Sequence, residues 1–296
     1  MRLRHRIASI ALAMLTAVST FSGCATPPAE EDAAGRACRE LLQKVPVYYE
    51  DFTFWNVKAL RGDGDLNELY EEWKDRNLGS VYELLGIKID DIDYFADAGL
   101  LEIAKGDFDI ESIREHISQY YHRDSRYPDM EVWTSQPSRD PQSRTGGMVL
   151  AEGLLVRGTN NHNVEDFISV AKGEELSYYD KNASEIVGML PNELMLNVHH
   201  DRLLEGLVIA GYSIEKESQD TLKWKNVYKF ESPEDIEHAD EYFGQIEEGF
   251  QRAEEEFGKR GEASYLHSFE IKNDGEFVEW SLIIDQRYLI SLLFHG

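Results

Sequence analysis

The sequence predicts an α+β fold in two similar halves, with antiparallel sheets each covered by helices on one face. Three observations support this. Hairpin signals cluster between isolated helical stretches, without the regular strand-helix-strand alternation of a parallel sheet. The 42% hydrophobic and 11% aromatic content of these 296 residues is enough to build a core. Finally, Leu41-Leu42-Gln43-Lys44-Val45-Pro46 parallels Ile186-Val187-Gly188-Met189-Leu190-Pro191. Each is a helix end stopped by proline and followed by an apolar strand. The halves so implied are residues 35–175 and 176–296.

The elements follow from local pattern. Residues 32–44 read as a helix, because Ala34, Cys38, Leu41 and Val45 share one face. Pro46 ends it, and the aromatic-rich stretch 47–56 reads as a strand. Arg61-Gly62-Asp63-Gly64-Asp65 is a turn that caps a helix to about Arg76. Short strands at 92–96 and 100–104 flank Ala98-Gly99. Asp109 caps a helix with Ile110, Ile113 and Ile117 on one face. Residues 130–134 form a strand, and 135–147, rich in Pro, Ser, Arg and Gly, a long loop. A hairpin around Glu152-Gly153 joins 148–150 to 154–156, and Val164, Phe167, Ile168 and Ala171 mark a short helix.

The second half has a helix at 184–190, stopped by Pro191, and strands at 194–198, 207–214 and 222–230. Ser232-Pro233 opens the longest helix, running to about Phe257. Two strands, 264–271 and 277–284, meet at Asn273-Asp274-Gly275, a strong hairpin signal. The apolar run 288–294 reads as a last buried strand.

The N-terminus differs from the rest. Arg2, Arg4 and Arg6 precede fifteen uncharged residues, Ile7 to Phe21. That suits the hydrophobic region of a signal peptide and falls short of the roughly 20 residues of a membrane span. Phe21-Ser22-Gly23-Cys24 resembles the lipobox of bacterial lipoproteins, with Phe21 where that family prefers Leu. The resemblance covers the first 24 residues and implies diacylation of Cys24 and removal of residues 1–23. Residues 24–34 then form a lipidated flexible tether with Pro27 and Pro28. The body loosely resembles uncharacterised duplicated α+β lipoproteins of bacteria.

The chain has 30 basic and 56 acidic side chains, for a net charge of −26. Loss of residues 1–23 removes three arginines and no acids, giving −29. Such a surface repels phosphates, which argues against nucleic-acid binding and against a basic membrane patch. It leaves room for a cationic protein or peptide partner or for divalent cations, alongside the membrane reached through the lipid; its simplest role is solubility. With Cys24 acylated, Cys38 has no intramolecular cysteine partner, and its helical face makes it a buried structural thiol.

Five patterns bear on a site. His199-His200-Asp201 has metal-ligand chemistry, but adjacent strand residues point to opposite faces, and nothing places His162 beside them. Asp63-Gly64-Asp65-Leu66-Asn67 opens like a calcium loop, yet Glu68 and Lys74 stand where that loop needs Gly and Glu. Asp63 and Asp65 therefore read as turn and cap residues. The aromatic pairs Tyr48-Tyr49, Tyr120-Tyr121 and Tyr178-Tyr179 suit the core and rim of a sheet; exposed, they suit ligand stacking. On the long helix, Ile236, Ala239, Phe243, Ile246, Phe250, Ala253 and Phe257 recur at three-four spacing. Alternating large and small residues favour packing on a sheet over a coiled coil. Its other faces hold Glu237, Asp240, Glu241, Glu247, Glu248, Glu254 and Glu255.

No nucleophile elbow, zinc-protease helix, phosphate loop or dinucleotide fingerprint occurs, so no catalytic residue, metal or cofactor is assigned. The expectation is a lipid-anchored protein on the extracytoplasmic face of the cell membrane, a non-catalytic binding or interaction protein. The alternative is an envelope hydrolase whose site is assembled from scattered residues. Labelled palmitate is expected to enter the wild type and not Cys24→Ala; equal labelling of both would refute the anchor.

Overall fold

The computed structural model of the chain describes residues 33–78, 82–83, 85–135, 146–200, 204–260 and 265–295. The first part contains α1 (Ala33–Leu42), β1 (Asp51–Trp55), α2 (Val57–Gly62), α3 (Asn67–Asn77), β2 (Ile92–Asp97) and β3 (Leu101–Gly106). It continues with α4 (Ile110–Ile117), β4 (Tyr121–Arg123), β5 (Glu131–Ser135), β6 (Gly147–Ala151), β7 (Leu154–Gly158) and α5 (Asn161–Ala171). Then come α6 (Lys181–Met189), β8 (Met195–His199), β9 (Leu207–Lys216) and β10 (Thr221–Phe230). The chain ends with α7 (Pro233–Arg260), β11 (Leu266–Asp274), β12 (Phe277–Asp285) and α8 (Gln286–His295).

Side-chain caps open several of the helices. Asp109 accepts from the Ser112 amide at 3.1 Å to open α4, and Asp180 accepts from Ala183 at 2.8 Å to open α6. Asn160 and Asn163 form a reciprocal capping box for α5. Ser232 donates to Asp235 at 2.8 Å ahead of Pro233.

All strand pairs are antiparallel and fall in a single sheet of order β11-β12-β10-β9-β8-β1-β2-β3-β7-β6-β5-β4. The expectation of separate sheets is thereby corrected, because β1 pairs with β8 from Asp51↔His199 to Trp55↔Met195 and joins them. In the β11–β12 hairpin, Gly275 has φ +60°, a conformation that favours glycine. At Gly211 an added Cβ would stand 2.7 Å from both the Asn197 carbonyl and Ile186 Cγ2, so glycine lets α6 approach the sheet.

Helices cover both faces of the sheet, which corrects the one-face expectation. On one face Cys38, Leu41 and Leu42 of α1, Phe167 of α5 and Ile186 of α6 pack on Phe52, Phe54, Leu196 and Val198. On the other, Leu69 and Trp73 of α3, Ile113 of α4, Phe243 of α7 and Leu289 of α8 pack on Trp55, Phe95, Leu155, Ile214 and Leu282. The central strands are buried at successive positions, as in β8 from Met195 to Val198, and so need cover on both sides. Beyond that cover, the face of β10 and β12 opposite α7 is linked by ion pairs such as Lys225–Glu279 at 2.7 Å.

The run 288–294 is a helix, not a strand. Leu289, Ile290 and Phe294 are buried while Leu292 is 44% exposed, a pattern of helical rotation. A seven-residue run with Ser291 as its one polar residue is too short to show a period, so sequence alone does not separate the two states. Phe294 stacks on Trp55 at 6.1 Å, which in turn lies 6.3 Å from Trp73. The expected strand 47–56 starts late, because the segment before it bridges another loop through Pro46↔Ser177. Helix α2 and strand β4 were not anticipated.

The leader, Cys24 and the tether to residue 32 lie outside the described residues. So do 136–145 of the expected loop, Asp201, and the side chains of Asp240, Ala253, Glu254 and Phe257. Among the described residues no helix is long and apolar enough to cross a membrane. Leu289→Ala is expected to cost about 2–5 kcal/mol in urea unfolding. Leu292→Ala should stay within about 0.5 kcal/mol. Equal losses would contradict the helix.

Candidate functional site

On the face that carries α3, α4, α7 and α8, one row of cross-strand partners runs through the sheet. It reads Arg157↔Glu102, Glu102↔Asp97, Asp97↔Thr53, Thr53↔Asn197, Asn197↔Tyr212 and Tyr212↔Asn226. Residues directly opposite in an antiparallel sheet share a face. Seven neighbouring strands, β7 through β10, thus place polar side chains at one level, beside an apolar level that runs Met195↔Trp55↔Phe95↔Ala104↔Leu155.

The row is hydrogen-bonded along its length. Arg157 Nε donates to Glu102 Oε2 at 2.7 Å, and a second guanidinium nitrogen pairs with Glu102 Oε1. The hydroxyl of the buried Tyr82 donates to the same carboxylate at 2.7 Å. Asn197, 3% exposed, donates its amide to Asp51 Oδ1 at 2.5 Å and to Thr53 Oγ1 at 2.9 Å. Its Oδ1 then faces His199 Nδ1 at 2.7 Å, so that ring nitrogen bears the proton. Asp51 is exposed and Thr53, Asp97 and His199 are half-buried, which opens the row to solvent at β1 and β8.

Burial, reinforced by Glu102 and Asp51, holds the Asp97 carboxyl above its usual range despite the Gly99 amide donating to it at 2.6 Å. Burial and the Asp51 charge push Tyr212 up to about 12. Burial and Glu102 raise Tyr82 far above the normal phenol range. Burial works against the Arg157 charge, but Glu102 outweighs it and raises the guanidinium further. The phenols therefore stay neutral at physiological pH.

The sequence-derived candidates scatter. His199 joins the row, whereas His200 turns to the other face, its Nδ1 at 3.2 Å from the Val208 carbonyl and its ring 5.3 Å from Tyr178. His162 lies on α5 beside Glu165. Asp63 and Asp65 both accept from Lys216 Nζ, at 2.6 and 2.8 Å, which fills the start of the calcium-like loop with an ammonium. The Lys216 hydrogen bond holds the Asp63 carboxyl low. Among the described residues no group of three or more His, Cys, Asp or Glu is placed to hold a metal ion. Cys38 is buried and outside any disulfide. Of the tyrosine pairs, Tyr49, Tyr121 and Tyr178 are buried, while Tyr48 and Tyr120 are exposed.

Sequence reasoning missed the row because its members lie between residues 51 and 226. The available signal was an asparagine or aspartate within an apolar strand, as in Met195-Leu196-Asn197-Val198. A larger cavity, about 840 Å³, lies between Tyr94, Phe108, Ile110 and the β6–β7 turn. Both of its cations are paired, Lys105 with Glu40 and Arg114 with Glu131.

Comparison of the chain with protein-family models, curated proteins and solved structures finds no match. Asp97→Asn retains an acceptor for Gly99 and removes the charge. A carboxyl raised by folding is stabilising when protonated, and that stability is lost as pH rises through its folded value. The variant is therefore expected to melt higher than wild type at pH 7. The advantage should vanish below about pH 3.9, where the carboxyl is protonated in both states. Identical melting temperatures at pH 7 would contradict it.

Proposed function

We propose that the chain is a lipid-anchored extracytoplasmic binding protein that takes a cationic segment of a protein or peptide into the polar row. One observation carries the reading. Asp97 and Glu102 lie in the row and Asp51 is hydrogen-bonded to its Asn197, against one guanidinium, Arg157, among the described residues, so the carboxylates outnumber the cation. An added ammonium or guanidinium balances that excess. It also favours ionised Asp97, so affinity rises with pH through the raised range of that carboxyl. The overall charge of −26 steers such a partner to the surface, and the steering weakens with salt. Anchoring at Cys24 keeps the partner and the fold on the same membrane, at high local concentration.

We also infer that the two halves arose by duplication. Both α1-Pro46-β1 and α6-Pro191-β8 lead into the central strands, and Thr53 of one lies opposite Asn197 of the other. Helices α1 and α6 pack on one face, α4 and α7 on the other. The likeness ends at α5 and α8, which lie on opposite faces. A crystal structure in which α1-β1-β2-β3 does not superpose on α6-β8-β9-β10 would overturn the inference.

The binding reading is tested by capture from envelope extract on the immobilised full chain. A partner retained at low salt should elute at high salt and bind Asp51→Asn/Asp97→Asn roughly ten-fold less, the loss of one charge-assisted contact. Retention that ignores both salt and the double variant counts against the polar row as the site.

A further inference from the structure

Strand β11 ends the sheet, and among the described residues no strand pairs with its outer side. Proteins blunt such edges by shortness, proline or a bulge. The opposite edge, β4, follows that rule with 3 residues. Strand β11 has 9, none of them proline, and its bulge lies at one end, between Leu266 and Ser268. Phe269 and Ile271 are half-buried on the side that carries α7, while Glu270 and Lys272 are exposed on the other. The hairpin fixes which backbone groups face outward. Asp274 and Phe277 oppose each other across a two-residue loop and so share the turn hydrogen bond. Backbone groups alternate in direction along a strand, so those of Asp274, Lys272 and Glu270 bond to β12. Those of Asn273, Ile271 and Phe269 point away from the sheet.

We propose that β11 pairs with β11 of a second copy of this chain, across a two-fold axis at Ile271, to make one continuous sheet. A two-fold antiparallel pairing must centre on a residue whose backbone groups face outward. Centred on Asn273, it runs into the turn at Gly275 and sets Glu270 against Glu276. Centred on Phe269, it sets Glu270 against Ser268 and Lys272 against Leu266, across the bulge. Centred on Ile271, it sets Glu270 against Lys272 twice, Phe269 against Asn273, and Ile271 against itself. The two Glu–Lys pairs then fall at the closely spaced, non-hydrogen-bonded positions, where opposite charges stabilise a sheet. Helix α7 leaves room for the partner. Its Phe243 meets Tyr228 of β10 at 5.3 Å and its Phe250 meets Phe269 of β11 at 4.9 Å, so it lies over β12 between them. In the pair the two β12 strands stand about 14 Å apart, three strand spacings, which exceeds the separation of packed helices. The repulsion between two chains of charge −26 is screened beyond about 8 Å at physiological salt. The proposal rests on neither the polar row nor the lipid anchor.

The test is sedimentation of the full chain with Cys24→Ala, so that no lipid gathers the copies, from about 1 µM to about 1 mM in about 0.15 M salt. One strand pair is smaller than a standard interface, so a concentration-dependent dimer is expected. Glu270→Lys and Lys272→Glu each set like charges opposite one another, and each should weaken the dimer about ten-fold or more. Both side chains are exposed, at 63% and 72%, so the fold tolerates either change. Mixing the two variants, or combining both changes in one chain, places opposite charges together again and should restore association. A wild type that stays monomeric throughout would overturn the proposal. So would a dimer indifferent to the single reversals, or reversals that the mixture does not rescue. An open series of larger oligomers would overturn the closed two-fold pairing.

Discussion

The pairing of β1 with β8 is the constraint on which the rest of the molecule depends. Among the described residues it is the strand pairing that joins the seven strands on one side of the sheet to the five on the other. Five residue pairs make it, with Phe52, Phe54, Leu196 and Val198 on one face and Trp55 and Met195 on the other. A slip of one residue would turn every side chain to the opposite face. Asn197 makes that slip costly, because it would drive a buried amide into the aliphatic layer under α1 and α6. The polar row thus also sets the register that makes it a row.

Much of this order was legible in the sequence. Asp109 and Ser232-Pro233 announce helices by the chemistry of their first turns, and Asn273-Asp274-Gly275 announces a hairpin by its backbone preference. The face of Cys38 and Leu41 was readable because a helical period survives in the polar positions between them. Where the pattern lost its period, reading failed. The stretch 288–294 has one polar residue, Ser291, too few to mark a period, and it forms a helix where a strand is expected. The central strands are apolar on both sides, which hides the second layer of helices. The polar row was invisible for a different reason: its members are neighbours only through cross-strand register, which no local window contains.

Acid excess also acquires a distribution. Lys216, Lys225 and Lys229 are each engaged with carboxylates, as in Lys229 with Glu185 and Glu276. Pairs of this kind at a surface contribute little stability. Their effect is to occupy the cations, so that the unmatched charge falls to places such as the exposed side of α7, where Glu237, Glu241 and Glu248 face solvent.

The position of β1 has a kinetic consequence. Its partner strand lies 144 residues later, measured from Thr53 to Asn197. During synthesis, β1 leaves the ribosome as an open edge and stays one until β8 has been made. Contacts this distant in sequence form slowly, and unpaired edges invite association with other chains. An early product ending before residue 195 would expose the Phe52–Phe54 strand along its full length. Exporting the chain unfolded and completing it before collapse would avoid that hazard, because both central strands would then be present when the sheet closes.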